Sequence, residues 1–397
     1  MTAARAIAAG ATADIAPPGL SREGRPRRPQ PAPTALGRWL KGETLTLDDG
    51  AQTTPGGGAA RLRMIGKRIL LAVPALIGVL IVSFVLTRAL PGDPAAYFAG
   101  PAADAESIAQ IRVELGLDRS LPEQFLVYVG DLLRGDLGQS ISTGQPVLEE
   151  LTRRLPASLE LTLTALILST LVAVPLGVAA AARQGTWVDH ACRALVTAGV
   201  SLPTFFTGIA LVYVFYYLLG WAPSPLGRLD FLYLSPEPVT GFYTIDAALA
   251  GDWETLGGAL RQLALPAITL ALFTMAPLAR MARAAMLEAL GSDYVRTARA
   301  AGLPPRKVLY GVAFQNAMLP VVTTLGMVFS FTLGANVLVE KVFAWPGVGS
   351  YAVEALVVSD YAAVQGFVLA MAVLFVALNL AIDVIVALID PRTRSAS

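Results

Sequence analysis

The chain has one histidine, His190, and one cysteine, Cys192. His190 stands beside Asp189, which would begin a His–Asp relay. A hydrolase built on that pair also needs a nucleophile within hydrogen-bond reach, and nothing in the sequence places a serine there. The H-E-x-x-H spacing that sets two imidazoles on one helix face for zinc is absent. A single cysteine excludes both an internal disulfide and a thiolate zinc cluster. There is no G-x-x-x-x-G-K-[ST] phosphate loop, so any nucleotide energy must come from another polypeptide. His190 therefore reads as a surface histidine and Cys192 as a small residue near a helix start. No residue is assigned a catalytic role, a metal or a cofactor.

The pattern that does point to a role is EALGSDYVRTARAAGLPPRKVLYGVAFQNAMLPVV, residues 288–322. It predicts one helix over about Ala284–Leu290 and a second over Asp293–Ala301, with Ser292 or Asp293 able to cap the second. Tyr294, Ala298 and Ala301 recur at helical spacing, as do Arg296 and Arg299. Gly302 stops the helix because it accepts left-handed dihedrals. Pro304 and Pro305 stiffen the exit, and a new helix begins toward Lys307 and Tyr310. Small alanines such as Ala289 and Ala298 would let a partner surface approach closely, with Glu288, Asp293 and Arg296 supplying polar contacts around them. Such an element, between two apolar spans, suits a handle for a soluble partner. The plainer alternative is an amphipathic surface helix with no partner.

The elements that must position this segment are membrane spans. The chain is 55% hydrophobic and 15% charged, against about 25% charged in soluble proteins. Its net charge of +1 gives no case for a nucleic-acid partner. Six stretches approach the roughly 20 residues needed to cross hydrocarbon: about 69–87, 161–182, 194–219, 263–279, 317–339 and 362–383. The fourth is the weakest, with Pro266 and Pro277 near its ends, and a re-entrant or interfacial helix is its alternative. Lys and Arg cluster before the first span, between the second and third, between the fourth and fifth, and after the last. The positive-inside rule then puts both termini and the coupling segment 280–310 in the cytoplasm. Glu160 and Asp383 lie near span ends, where they can reach the interface. The scarcity of other charges within the spans argues against an ion-coupled carrier.

Outside the spans, residues 1–63 read as a disordered extension. Either it is a dispensable tail or the chain proper starts at Met64. The extracytoplasmic segment 88–158 holds short helices over 104–135, one starting at Leu121-Pro122-Glu123-Gln124. In the second outer loop, 223–258, Trp221 and Trp253 at its borders suit an interfacial belt. The domain proper is 64–397.

EALGSDYVRTARAAGL closely resembles the cytoplasmic EAA-type coupling signature of permease subunits of bacterial ABC importers. LPGDPA (90–95), RRLPASLELTLTAL (153–166), GVSLPTFFTGIAL (199–211), NAMLPVVTTLG (316–326), VEKVFAWPGVGSYAVEAL (339–356) and NLAIDVIVALIDPRTR (379–394) narrow the resemblance. They are similar to the first of two permeases in the dipeptide, oligopeptide and nickel transport family, over about residues 64–394. The chain departs from the family pattern at Ala301, often lysine, and Gln315, often arginine. The resemblance implies an all-α fold with six transmembrane helices, of the type I ABC importer permease kind. It implies a homologous second permease, two cytoplasmic ABC ATPase subunits and an extracytoplasmic solute-binding protein, in a lipid membrane of the bacterial cell. ATP and Mg would be bound by the ATPases, none on this chain. Glu288, Ala289, Asp293, Tyr294, Arg296, Ala298, Arg299 and Gly302 are the implied coupling residues. Peptides are the expected solute, with nickel complexes and other small solutes as alternatives, and a stand-alone transporter or channel as the rival class.

Overall fold

The computed structural model describes residues 57–89, 93–100 and 102–389. Most of the expected extension 1–63 lies outside these residues. The described chain is helical, with one isolated antiparallel bridge between Gln139 and Pro146.

Four spans run as long continuous helices: α1 (Gly57–Ala89), α5 (Val147–Ala182), α9 (Trp253–Gly291) and α13 (Tyr361–Ile389). A fifth is α11 (Phe314–Val342), which wide π-type turns over Lys307–Ala313 extend into one apolar rod. Short helices fill the connections. These are α2 (Pro94–Ala99), α3 (Ala105–Glu114), α4 (Leu121–Leu133), α6 (Trp187–Val200), α7 (Thr204–Leu211, continued by π-type turns over Val212–Leu218), α8 (Tyr243–Leu249), α10 (Asp293–Ala300) and α12 (Val348–Val357).

The expected third span, 194–219, is not one straight helix. α6 and α7 meet at 96°, and only as a bent pair do they make a sixth crossing. The cause is Pro203, which has no N–H to continue the α6 ladder and disfavours helical dihedrals at Leu202. The expected weakest span, the fourth, is instead the centre of the bundle. α9 runs unbroken through Pro266 and Pro277 for 39 residues. Its most extensive partner is α5, and it packs on α11 as well. Its mean hydropathy, 1.6, is the lowest of the five continuous spans, yet it is the most deeply enclosed. A helix wrapped in protein can carry threonines and arginines that lipid would penalise.

Local signals set the element starts. Asp252 caps α9, accepting from the Thr255 N–H at 2.9 Å and its hydroxyl at 2.6 Å. Ser120 and Glu123 form a reciprocal capping box on α4, with proline in its first turn, as the sequence predicts. Phe84 of α1 meets Phe125 of α4 edge-on at 5.2 Å, docking this small subdomain onto the bundle. Successive passes alternate in direction. One end of the bundle therefore carries the α5–α6 turn and α10, and the other carries α2–α4, α8 and α12.

Candidate functional site

At its last turn α9 hands over to α10 through Ser292. The residues expected to form a separate helix, 284–290, are the final turns of α9 itself. Ser292 is extended (φ −75°, ψ 158°), and its hydroxyl donates back to the Ala289 carbonyl at 2.5 Å rather than capping α10. α10 is held by one wholly buried side chain, Val295. It packs in a cluster with Met286 and Ala289 of α9, Val174 and Val178 of α5, and Val308 beyond the turn. Gly302 follows at φ +78°, the left-handed stop that the sequence predicts.

The eight expected coupling residues divide by exposure. Glu288, Asp293, Tyr294, Arg296, Arg299 and Gly302 are exposed. Ala289 is 4% exposed and Ala298 is half-buried, and both pack into the chain's own cluster. The alanine-lined face expected to meet a partner is therefore turned inward. The surface left for a partner is Tyr294 with its charged neighbours. Asp293 and Arg296 pair at 3.2 Å while remaining 95% and 73% exposed, a geometry that adds little stability and leaves both groups available. Arg299 complements the α10 C-terminus.

Past its uncharged run 262–279, α9 continues to Gly291 at this end. Thirty-nine residues make about 58 Å of helix, against roughly 30 Å of hydrocarbon. A bidentate ion pair braces the projection: Nε and Nη2 of Arg283 in α9 donate to the two carboxylate oxygens of Asp189, each at 2.8 Å. The Gly185 N–H donates to the same carboxylate at 3.1 Å. Asp189 is thus turned to Arg283 and does not orient His190, which is exposed as the sequence predicts.

The opposite end holds a polar knot that the sequence reading does not name. Glu340 of α11 is buried and accepts from Ser158 Oγ at 2.6 Å, Asn336 Nδ2 at 3.0 Å and the Ser350 N–H at 2.7 Å. Trp345 Nε1 donates to the Ala157 carbonyl at 2.9 Å, and the Val348 N–H to Ser158 Oγ at 2.9 Å. The α11–α12 corner is thereby stapled to α5. Gly347 makes room for it, since a Cβ there would lie 2.2 Å from Glu340 Oε1. The usable signal was the pairing of one carboxylate with a Pro-Gly corner inside a single motif, 339–356.

Glu160 is a correction of the same kind. It does not reach the interface. It is buried, accepting from Arg228 at 2.6 Å and from the Thr244 hydroxyl at 2.7 Å. Arg228 lies 3.5 Å from the Tyr243 ring centroid, so the loop 223–258 is clamped onto α5. Asp246 in α8 organises the same loop. Burial alone would raise its pKa, but the Thr240 hydroxyl and the N–H groups of Thr240, Gly241 and Val239 hold it below the usual carboxylate value.

Between α11 and α13 lies an open cleft of about 730 Å³, lined by Met327, Phe331 and Phe375 together with Thr323, Ser330, Asn379 and Asp383. Met327 and Phe331 are 68% and 64% exposed.

Residues 173–395 match the family described as binding-protein-dependent transport system inner membrane component. Residues 61–162 match the N-terminal part of such membrane components. A protein of Escherichia coli (strain K12) named "Probable D,D-dipeptide transport system permease protein DdpB" is 44% identical over 315 residues, 79% of this chain and 92% of the relative. The di/tripeptide transport system permease protein DppB of Pseudomonas aeruginosa (strain UCBPP-PA14) is 40% identical, over 84% of this chain and 99% of its own. The dipeptide transport system permease protein DppB of Escherichia coli (strain K12) is 39% identical over the same shares.

Proposed function

The chain belongs to the family of binding-protein-dependent transport system inner membrane components, and from that premise we propose that it is one of two permeases forming the path of an ATP-driven importer for peptides or related small solutes. It is a multi-pass membrane subunit of the type I ABC permease fold. In this reading it catalyses nothing itself. Two cytoplasmic ATPases hold ATP and Mg, and a solute-binding protein delivers cargo to the other face. Both termini and α10 are cytoplasmic.

The observation that carries this reading is the position of α10. A polar helix is fixed by one buried valine to the end of the most enclosed span. Movement of an ATPase bound to α10 therefore reaches α9, and through it α5 and α11, as a rigid displacement. ATP-dependent closure of the ATPases would then bias the two accessibility states of the spans.

The α11–α13 cleft supports a second permease. Hydroxyls, an amide and a carboxylate on the open side of two spans suit a water-containing path or a protein neighbour better than lipid. Peptide as solute rests on the names of the relatives. The test is reconstitution of the chain with its second permease, ATPases and binding protein in sealed vesicles. Labelled dipeptide should accumulate only with ATP and all partners. Accumulation driven by an ion gradient with this chain alone would overturn the proposal.

A further inference from the structure

The pocket between α5, α6 and α9 at the coupling end takes no part in the reading above. It has a volume of about 400 Å³, and its walls include Leu176, Val196 and Thr197. Its floor is closed where Gly177 of α5 lies against α9; a Cβ there would come within 2.6 Å of Ala282 Cβ. Three arginines line it, Arg193, Arg280 and Arg283, and no carboxylate does. Arg283 is already engaged by Asp189. Arg193 and Arg280 are exposed, and neither has a hydrogen bond or ion pair among the described residues. The pocket thus pairs apolar walls with two guanidinium groups that make no hydrogen bond among the described residues, of which Arg193 shares the field of Asp189 with Arg283.

Its depth in the membrane follows from α9. Arg280 directly follows the uncharged run 262–279 of α9, so the pocket lies where that span leaves its apolar stretch. Trp187 and Leu195 of α6 are 78% and 53% exposed, the apolar face of an interfacial helix. Arg193 therefore sits at headgroup level, beside walls that continue toward the hydrocarbon.

We infer that this pocket binds the headgroup phosphate of an anionic phospholipid, with Arg193 and Arg280 on the phosphate and an acyl chain along Leu176 and Val196. Guanidinium forks match phosphate oxygens, and basic pockets between spans take anionic headgroups. The lipid would bridge α6 to α9 beside the Asp189–Arg283 pair. The inference does not depend on the solute or on the ATPases.

Cys192 lines the same pocket and is the chain's only cysteine, so the native protein carries its own reporter. The rate of Cys192 modification by a water-soluble maleimide is measured on the purified full chain in detergent. Phosphatidylglycerol should slow it several-fold. Phosphatidylcholine with the same acyl chains should not, and neither should millimolar inorganic phosphate. The double variant R193Q/R280Q should need about tenfold more phosphatidylglycerol, or more, for the same protection, and Arg280→Lys should keep most of it. Unchanged Cys192 reactivity without lipid shows that the variant is folded; if it is not, the wild-type arms decide alone. Equal protection by phosphatidylcholine would overturn the inference, as would protection by inorganic phosphate with none added by the lipid. So would an unshifted titration in the folded double variant.

Discussion

Ala289 and Gly302 show how residues a few positions apart in one motif do different work. Ala289 is spent inside the chain, so Ala289→Trp should act on folding before it acts on any partner. Overpacking of this kind costs about 1–3 kcal/mol. The expected result is a lowered midpoint of thermal unfolding for the isolated chain. An unchanged midpoint would mean that the site has room to give. At Gly302 a Cβ would meet nothing within 4 Å, but φ is +78°. The cost of Gly302→Val is therefore backbone strain of about 1–2 kcal/mol, whereas asparagine tolerates this region. In the assembled transporter, Gly302→Val should insert normally yet uncouple ATP hydrolysis from uptake, while Gly302→Asn should retain coupling. Equal uptake by both variants would contradict the role. Asp246 supplies a pH test. Its folded-state pKa lies below the unfolded value of about 3.9. Its contribution to stability is thus complete above that value and is lost as pH falls through the folded pKa. Proteolysis within the loop holding Thr240 should rise at the acid end in wild type. In Asp246→Asn the loop should be cut readily at neutral pH, with no further rise from this group on acidification.

The elements explain what could and could not be read in advance. α10 was legible because a charged, alanine-rich run ended by glycine has few uses between two spans. Its inward face was not, because a buried alanine and an exposed one look alike until α5 and α9 are in place around Val295. The apolar spans were legible from their lengths, but the fourth, read as the weakest, is the most enclosed. Hydropathy reports contact with lipid, so it marked down α9, which contacts protein, and it passed over Pro203 in the apolar run 194–219. The Glu340 knot escaped because its members, Ser158, Asn336 and Ser350, are scattered over three helices. That knot gives a prediction for the α11–α12 corner. Gly347 has an ordinary backbone conformation, so Gly347→Ala acts by displacing the Glu340 carboxylate and the Ser158 hydroxyl that donates to it. It should free α12 from α5, read as faster amide hydrogen exchange over 348–357. Unchanged exchange there would show that the corner is held by other contacts.

At the scale of the whole molecule, the proposed function makes the chain a lever moved by a separate engine. α9 joins the knotted end, where α5, α11 and α12 are stapled together, to the projecting end where α10 sits. The Asp189–Arg283 pair keeps α6 in step with it. The sequence contains no G-x-x-x-x-G-K-[ST] phosphate loop, and in the proposed function the exposed residues of α10 are the surface through which force would enter. The most direct test places a photo-cross-linking residue at position 294, in the assembled complex. Tyr294 is 43% exposed at one end, and Leu232, 79% exposed in the loop at the other end, serves as the control position. The account predicts an adduct with a cytoplasmic ATPase from position 294 and none from position 232. An intact complex with no ATPase adduct from 294, or with one from 232, would contradict it.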